Sequence, residues 1–332
     1  MMRAAIVGCG GIAQVHAKVL SSLENTVLVA CADTKYERAL TLANLYGARA
    51  YDSLEEMLKK EQIDVLHICT PHYLHTPMAV QAAESGVHVF MEKPLAINRE
   101  QLEQLSALGG QVRIGVCFQN RYNQNVKYVK DLLESGNTGK IVGARAFVTW
   151  CRNKDYYKNS GWRGRLSTEG GGVLINQSIH TLDLVTQFLG SPSFVESHMA
   201  NHHLKDHIEV EDTLEAYIDF HSCPAVFYAT TAYSGNAPVL IELCCEHVTI
   251  RMEDTAVSCH WEDGRNEHIY FEQQDALGKN YWGSGHNAII RDFYDCVETG
   301  RHFPVGIPEA YTTMDLVFKI YESSHENRVI YF

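Results

Sequence analysis

The chain has 332 residues, too many for one ordinary hydrophobic core, so two domains are the default. Hydrophobic residues make up 45% and charged residues 20%, a soluble globular balance, and the formal net charge of −12 without a basic run argues against nucleic acid or an anionic membrane as partner. No apolar run approaches the roughly 20 residues that a spanning helix needs.

MMRAAIVGCGG enters a strand-like segment at once, which is expected to exclude a signal peptide. The ten cysteines form no C-x-x-C pair, and Cys9, Cys31, Cys69 and Cys117 lie in apolar segments. They are expected to be reduced thiols of a cytoplasmic protein. RAAIVG (3–8) predicts a short buried strand, followed by a helix from about Ile12 to Leu20. TVLVACA (26–32) predicts a second strand, and a helix from about Lys35 to Tyr46 ends at Gly47. Ser53 with Glu56 makes a capping-box pair that opens a short helix. DVLHICT (64–70) is another apolar strand. Thr76-Pro77 predicts an N-cap before a first-turn proline, with that helix ending near Gly86. VHVFME (87–92) and VRIGVC (112–117) are two more strands, separated by a helix from about Arg99 to Leu108. Continuous apolar strands alternating with amphipathic helices predict a parallel sheet covered on both faces, with a boundary near residue 120. Beyond it, residues 141–150, 212–221, 225–233, 239–245 and 247–252 are β-rich, and helices return near 286–299 and 308–323.

GCGGIA (8–13) fits G-x-G-x-x-A directly after the first strand and at the start of a helix. Gly8 makes the tight turn, Gly10 admits a pyrophosphate to the backbone, and Ala13 lets helix and sheet pack closely. Gly11 and Ile12 open the helix whose N-terminus faces the phosphates. Asp33 ends the second strand about twenty residues on, where an acid accepts from a ribose 2′-OH. With Thr34 and Lys35 beside it, Asp33 favours NAD, and Lys35 leaves NADP open.

CTPHYLHTPMAVQAAESGVHVFMEKPLA (69–96) resembles the Gfo/Idh/MocA family of NAD(P)-dependent oxidoreductases in Thr70-Pro71, His75, the Gly86–Val89 turn and Glu92-Lys93-Pro94. FQNRYN (118–123), Trp162-Arg163, Gly170-Gly171-Gly172 with His180 and Asp183, and HNAIIRDF (286–293) extend the resemblance along the chain. It implies a Rossmann domain over residues 1–120 and, over 121–332, a substrate-binding and oligomerisation domain. The second domain is built on a large, mostly antiparallel open sheet, and the last helices are candidates to pack back on the first domain. It also implies that Thr70, Pro71, His75, Glu92 and Gln119 line the nicotinamide-ribose side. Arg121, Trp162 and Arg163 are then expected near the cofactor or the rim of the site.

Lys93 follows a strand at the carboxyl edge, where ligands bind in such sheets, and Pro94 restricts its backbone. The resemblance makes it the substrate-hydroxyl contact beside the nicotinamide. Oxidising a secondary alcohol also needs a proton acceptor, and imidazole, which titrates at about 6.5 when free, suits that step better than lysine at about 10.4. His180 is therefore assigned as general base and Lys93 as electrostatic partner. In GGGVLINQSIHTLDLV (170–185), Asn176, His180, Asp183 and Gln187 fall at helical spacing and are expected to share one face, with the glycines letting the helix start close to the nicotinamide. Asn176 departs from the family's best-known dehydrogenases, which carry Asp there. It still donates and accepts hydrogen bonds to a substrate hydroxyl. Asp183 either contacts sugar hydroxyls or has a structural role. Tyr156 and Tyr157 stack on a pyranose ring or pack internally.

His203 and His207 in NHHLKDHIEVED (201–212) have a metal-ligand spacing, but the segment reads as a polar loop and no metal is expected. The leading expectation is an NAD-dependent dehydrogenase of a sugar, inositol or sugar derivative. An NAD-dependent glycosidase or eliminase working through a transient 3-keto sugar, and a non-catalytic cofactor-sensing regulator, stay open beside it. A homodimer or homotetramer is expected, because a broad open sheet has one face to cover.

Overall fold

Short runs of small and β-branched residues, buried on both faces, build the first sheet. The computed structural model describes residues 1–108, 110, 112–272 and 285–332. It divides into two units: residues 1–122 with 285–311, and residues 123–272 with 312–332. In chain order the first unit holds β1 (Met2–Val7), α1 (Gly11–Leu20), β2 (Thr26–Ala32), α2 (Tyr36–Tyr46), β3 (Arg49–Tyr51) and α3 (Leu54–Lys60). β4 (Val65–Ile68), α4 (His75–Glu84), β5 (His88–Met91), α5 (Arg99–Ser106) and β6 (Ile114–Val116) follow. The chain continues through α6 (Gln124–Glu134), β7 (Ile141–Thr149), α7 (Lys154–Lys158), α8 (Leu166–Glu169) and α9 (Ile179–Leu189). Strands β8 (Phe194–Ala200), β9 (Thr213–Asp219), β10 (Pro224–Thr230), β11 (Leu240–Cys245), β12 (Val248–Glu253), β13 (Ala256–Trp261) and β14 (Asn266–Tyr270) come next. Helices α10 (Gly285–Thr299) and α11 (Ile307–Glu326) and strand β15 (Ile330–Tyr331) close the chain.

The six strands of the first unit are all parallel, in the order β3-β2-β1-β4-β5-β6. Their neighbours on both faces explain why β4 is buried along its whole length. Ser53 caps α3 by accepting from the Glu56 N–H. The expected N-cap at Thr76 is not one: α4 starts at His75, and the Thr76 hydroxyl instead donates to the Leu95 carbonyl, 2.9 Å away. Gly8 is required twice over. Its φ is +86°, and a Cβ would lie 2.7 Å from the Cys69 carbonyl group.

The second unit carries a nine-stranded sheet in the order β14-β13-β12-β11-β7-β10-β9-β8-β15. Every pairing is antiparallel except that of β7 with β10. Residues of β9 alternate between buried and exposed, as expected for a sheet with one face on a core. All ten cysteines are free thiols. Among the described residues, no helix is long and apolar enough to cross a membrane.

The stretch 170–189 differs from the single α-helix expected of it. Val173–Ser178 is π-helical and α9 starts only at Ile179. A π turn inserts a residue, so the step of four from Asn176 to His180 no longer keeps one face, whereas His180, Asp183 and Gln187 all lie within α9 and keep helical spacing. Along that face burial differs: Asp183 is fully buried and Gln187 exposed. The neighbours that require two of the glycines lie within this unit. A Cβ on Gly171 would stand 2.0 Å from the Tyr321 hydroxyl, and one on Gly172 would stand 1.9 Å from the Glu211 carbonyl oxygen. That close approach lets Glu211 accept three successive N–H groups: Gly172 (2.8 Å) and Leu174 (3.0 Å) on its carboxylate and Val173 (3.1 Å) on its carbonyl. These are the orphan donors of a helix start. Gly172→Ala should therefore cost about 1–3 kcal/mol of stability. Gly235→Ala, whose methyl meets nothing within 4 Å, should stay within about 0.5 kcal/mol of the parent. Urea denaturation of both variants measures this, and equal midpoints would overturn the account.

Candidate active site

In the first unit, α1 begins at Gly10 with no side-chain cap and no acid in its first turn. A Cβ on Gly10 or Gly11 would meet nothing within 4 Å. Bare amides, open space above them and the positive end of a helix dipole fit the pyrophosphate of a dinucleotide. Ala13 is fully buried against the sheet, and Ile12 is half-buried. At the end of β2 the Asp33 carboxylate accepts from the Cys9 and Lys35 N–H groups, both at 2.8 Å. Asp33 thus ties the glycine turn to the loop carrying the exposed Thr34 and Lys35, and its remaining lone pairs can take ribose hydroxyls.

The row expected on the nicotinamide side splits in two. Thr70, Pro71 and Lys93 are partly accessible, whereas His75, Glu92 and Gln119 are buried behind them. His75 Nδ1 lies 2.7 Å from the Pro94 carbonyl and Nε2 lies 2.9 Å from the Thr70 carbonyl. It therefore clamps the loops after β4 and β5 together, and burial pulls its pKa down. Lys93, joined to Pro94 by a cis peptide, is the only partly exposed residue between Val89 and Ala96.

Glu92 points inward. His16 Nε2 lies 3.0 Å from its carboxylate, His16 Nδ1 lies 2.9 Å from His67 Nδ1, and His67 Nε2 lies 3.0 Å from the Tyr294 hydroxyl. Burial alone would raise the Glu92 pKa, but His16, His286 and Lys93 hold it well below the usual carboxylate range. His286 is itself lowered to about 4 by burial. Ligand-type atoms of His16, Glu92 and Cys117 cluster within 4.8 Å, yet both His16 nitrogens are already engaged. Gln119 accepts from the Cys117 thiol at 3.8 Å. Arg121 is anchored to the carbonyls of Pro304 and Glu309.

In the second unit every residue from Gly171 to Thr186 is buried except Asn176 and His180. Up to Thr186, the π turn and α9 thus present two polar side chains. Asp183, of whose two expected roles the structure favours the structural one, accepts from the Thr313 hydroxyl at 2.8 Å. The residue that sequence reasoning missed is Glu169, at 0% exposure the last residue of α8. Its carboxylate accepts from the Gly164 N–H and from the Asn176 side-chain amide. Burial pushes its pKa up to about 7 against the pull of those donors and of Arg163, with Glu211 raising it further. Its only signal in the sequence was its place before three glycines.

Arg163 lies between two rings, 4.7 Å from the centroids of Tyr156 and Trp162. Tyr157 packs against Leu204, Ile208 and Val210, so its ring is a core element rather than a free stacking platform. The segment 201–212 is a loop, as read. Asp212 accepts the N–H groups of His202, His203 and Leu204, leaving the three histidine side chains of that loop exposed rather than gathered on a helix. Beside Arg163 and Gly164 opens a cleft of about 810 Å³, in which Lys154, Lys158, Arg163, Arg165 and Lys205 outnumber three carboxylates.

Comparison with known proteins places this geometry. The Gfo/Idh/MocA oxidoreductase family, NAD-binding Rossmann fold, matches residues 2–111, and the Gfo/Idh/MocA C-terminal domain matches residues 126–251. The D-glucoside 3-dehydrogenase of Escherichia coli is 30% identical over 257 residues, 71% of this chain and 71% of that protein. The glucose-6-phosphate 3-dehydrogenase of Bacillus subtilis is 26% identical over 223 residues, 66% of this chain and 62% of that one. The structure of the WlbA dehydrogenase from Bordetella pertussis in complex with NADH and UDP-GlcNAcA superimposes with a TM-score of 0.87 at 27% identity, covering 100% of this chain and 98% of that one.

Asp33→Ala should weaken NADH binding about tenfold, the order expected when hydrogen bonds to a charged acceptor are lost, and should shift preference towards NADPH. Fluorescence titration with both cofactors checks this. Unchanged affinity for both would remove Asp33 from the cofactor site.

Proposed function

Since the chain belongs to the Gfo/Idh/MocA family of NAD-binding oxidoreductases, we propose that it oxidises a ring hydroxyl of a sugar, inositol or sugar derivative to the ketone, or reverses that step, with Lys93 and His180 as the catalytic pair. The observation that carries this reading is selective exposure. The chain buries its residues from Val89 to Ala96 except Lys93, and those from Gly171 to Thr186 except Asn176 and His180, leaving those three partly exposed. Bound NAD supplies the hydride acceptor. His180 takes the hydroxyl proton as neutral imidazole, and the Lys93 ammonium stabilises the developing alkoxide. Asn176 holds a substrate hydroxyl. The Thr70-Pro71 turn and the Lys93 loop, which His75 fixes to each other, would hold the nicotinamide end.

The basic cleft, which Arg163 lines and Lys93, Asn176 and His180 do not, supports a narrower substrate class. Five cations facing three carboxylates, on a chain of net charge −12, suit a sugar derivative that carries a phosphate or carboxylate. Two of the relatives above are named for, or were solved with, such compounds. For quaternary structure we propose a homo-oligomer, supported by Tyr217 and Val226, paired neighbours that stand exposed on the nine-stranded sheet.

Incubation with NAD and a panel of sugars, inositols, sugar acids, sugar phosphates and glycosides tests the reading, with NADH absorbance and released aglycone followed together. Net NADH formation is expected. Aglycone release without it would mean redox-neutral glycoside cleavage, and NADH binding with no turnover would mean a regulator. Lys93→Met and His180→Ala should each lower turnover on the order of 10²-fold or more while leaving the NADH dissociation constant unchanged. Near-normal turnover in either would refute the pairing. Arg165→Glu should raise KM for glucose 6-phosphate up to about fivefold, the scale of an exposed charge pair, and leave KM for glucose unchanged.

A further inference from the structure

We propose that Glu169 is a positioning residue that decides which end of the Asn176 amide is turned to the substrate. The inference rests on the reading above in taking Asn176 as a substrate contact. Glu169 itself is assigned no role by the family resemblance or by the expected site.

The geometry comes first. Glu169 is fully buried at the end of α8, one residue before the glycine run whose path against Glu211 sets the position of Asn176. Its two oxygens have different partners. One accepts from the Gly164 N–H, a backbone donor that cannot turn round; the other accepts from Asn176 Nδ2. An ionised carboxylate only accepts hydrogen bonds, so Asn176 must offer it the NH₂ end. The carbonyl end of the amide is then turned away from Glu169, and because Asn176 is one of two accessible positions in its run, that end is the one a substrate hydroxyl meets. In this state the position accepts a hydrogen bond.

Protonation reverses the choice. The oxygen held by Gly164 N–H must stay an acceptor, so the proton goes to the oxygen facing Asn176. That O–H now donates, the amide turns over to accept it, and the NH₂ end faces the substrate. Asn176 thus changes from acceptor to donor without changing its own charge, which an Asp at this position could not do. Groups facing the Glu169 carboxylate include the Gly164 amide, Asn176, the Arg163 guanidinium, the Glu211 carboxylate and the Tyr157 and Tyr321 phenols. Burial and Glu211 favour the neutral acid, whereas the two hydrogen bonds and Arg163 favour the anion. Their balance near pH 7 puts both states within reach.

Two measurements decide the matter. The first needs no substrate: the side-chain amide signals of ¹⁵N-asparagine-labelled protein are followed through neutral pH, with that of Asn176 assigned by its loss in Asn176→Ala. The Asn176 signal is expected to titrate with a midpoint near 7 in the parent and to be flat in Glu169→Gln. A signal that titrates identically in both overturns the proposal, as does one flat in the parent. The second uses glucose 6-phosphate and methyl glucoside as substrates. KM in the parent should change about three- to tenfold across neutral pH, the scale of one hydrogen bond made or lost, while KM in Glu169→Gln stays level and NADH affinity is the same in both. Asn176→Ala, which keeps Glu169 in place, should also lose the pH dependence of KM, and it serves if Glu169→Gln does not fold. A pH-dependent KM retained in Asn176→Ala overturns the proposal. Failure to turn over either sugar would count against the proposed substrate class, and the amide titration alone would then decide the role of Glu169.

Discussion

Glu211 accepts the N–H groups of Gly172 and Leu174 on its side chain and that of Val173 on its carbonyl, and Tyr321 donates to the same carboxylate at 3.0 Å. This seat exists only because positions 171 and 172 lack a Cβ, which would otherwise stand about one bond length too close to Tyr321 and Glu211. It holds the start of the π turn over Val173–Ser178, which carries Asn176 and leads directly into α9. Asn176 and His180 are partly exposed there, and Asp183 is buried against Thr313. The segment read as catalytic is thus anchored by a close approach that no proposed catalytic residue makes.

Three buried glutamates show how one side chain serves three purposes. Glu92 sits among His16, His286 and Lys93, so its charge is neutralised locally and stays on. Glu211 is raised by burial, but backbone donors and a phenol hold it to a structural job. Glu169 counts one backbone donor, one amide and a nearby guanidinium among its partners, and burial pushes its pKa up to about 7. The differences follow from the count and charge of donors, since burial is common to all three. Acids whose environments push their pKa values apart are typical of functional sites, and here the one near neutrality is the one bonded to the accessible amide.

The first unit follows the same division between holding and presenting. His75, Thr76 and Glu92 are buried, and each fixes a loop or helix end through a named acceptor or donor. Lys93 and Thr70 are partly accessible, and the Gly10-Gly11 turn has open space above it. Residues that read as one motif, such as Glu92-Lys93-Pro94, therefore split by direction: the acid faces the interior, the lysine is exposed, and the proline carbonyl receives a histidine. A motif identifies such residues together because they act in one place, although they do not act in one way.

Much was legible along the chain because it is written in local pattern. Apolar strands alternating with amphipathic helices specified the parallel sheet, and G-x-G-x-x-A followed by Asp33 specified where a dinucleotide sits, since both depend on residues close in sequence. β3, β8, β13, β14 and β15 carried too little alternation to be read, because two- to seven-residue strands are defined by their partners. The one-face reading kept His180, Asp183 and Gln187 together on α9 but not Asn176, because a π turn leaves no mark in hydrophobic spacing; nor could it foresee that Asp183 is buried, since burial is set by partners as distant as Thr313. Glu169 was unreadable for the same reason. An acid near three glycines is an ordinary loop residue until Gly164 and Asn176 close on it and exclude water. Sequence alone determined the parallel fold and NAD binding, and singled out the glycine turn, Lys93 and His180 as candidates, through periodicity and motif. Tertiary structure decided which of the polar groups are presented and which are buried, because burial and donor count are set by residues that meet only after the chain has folded.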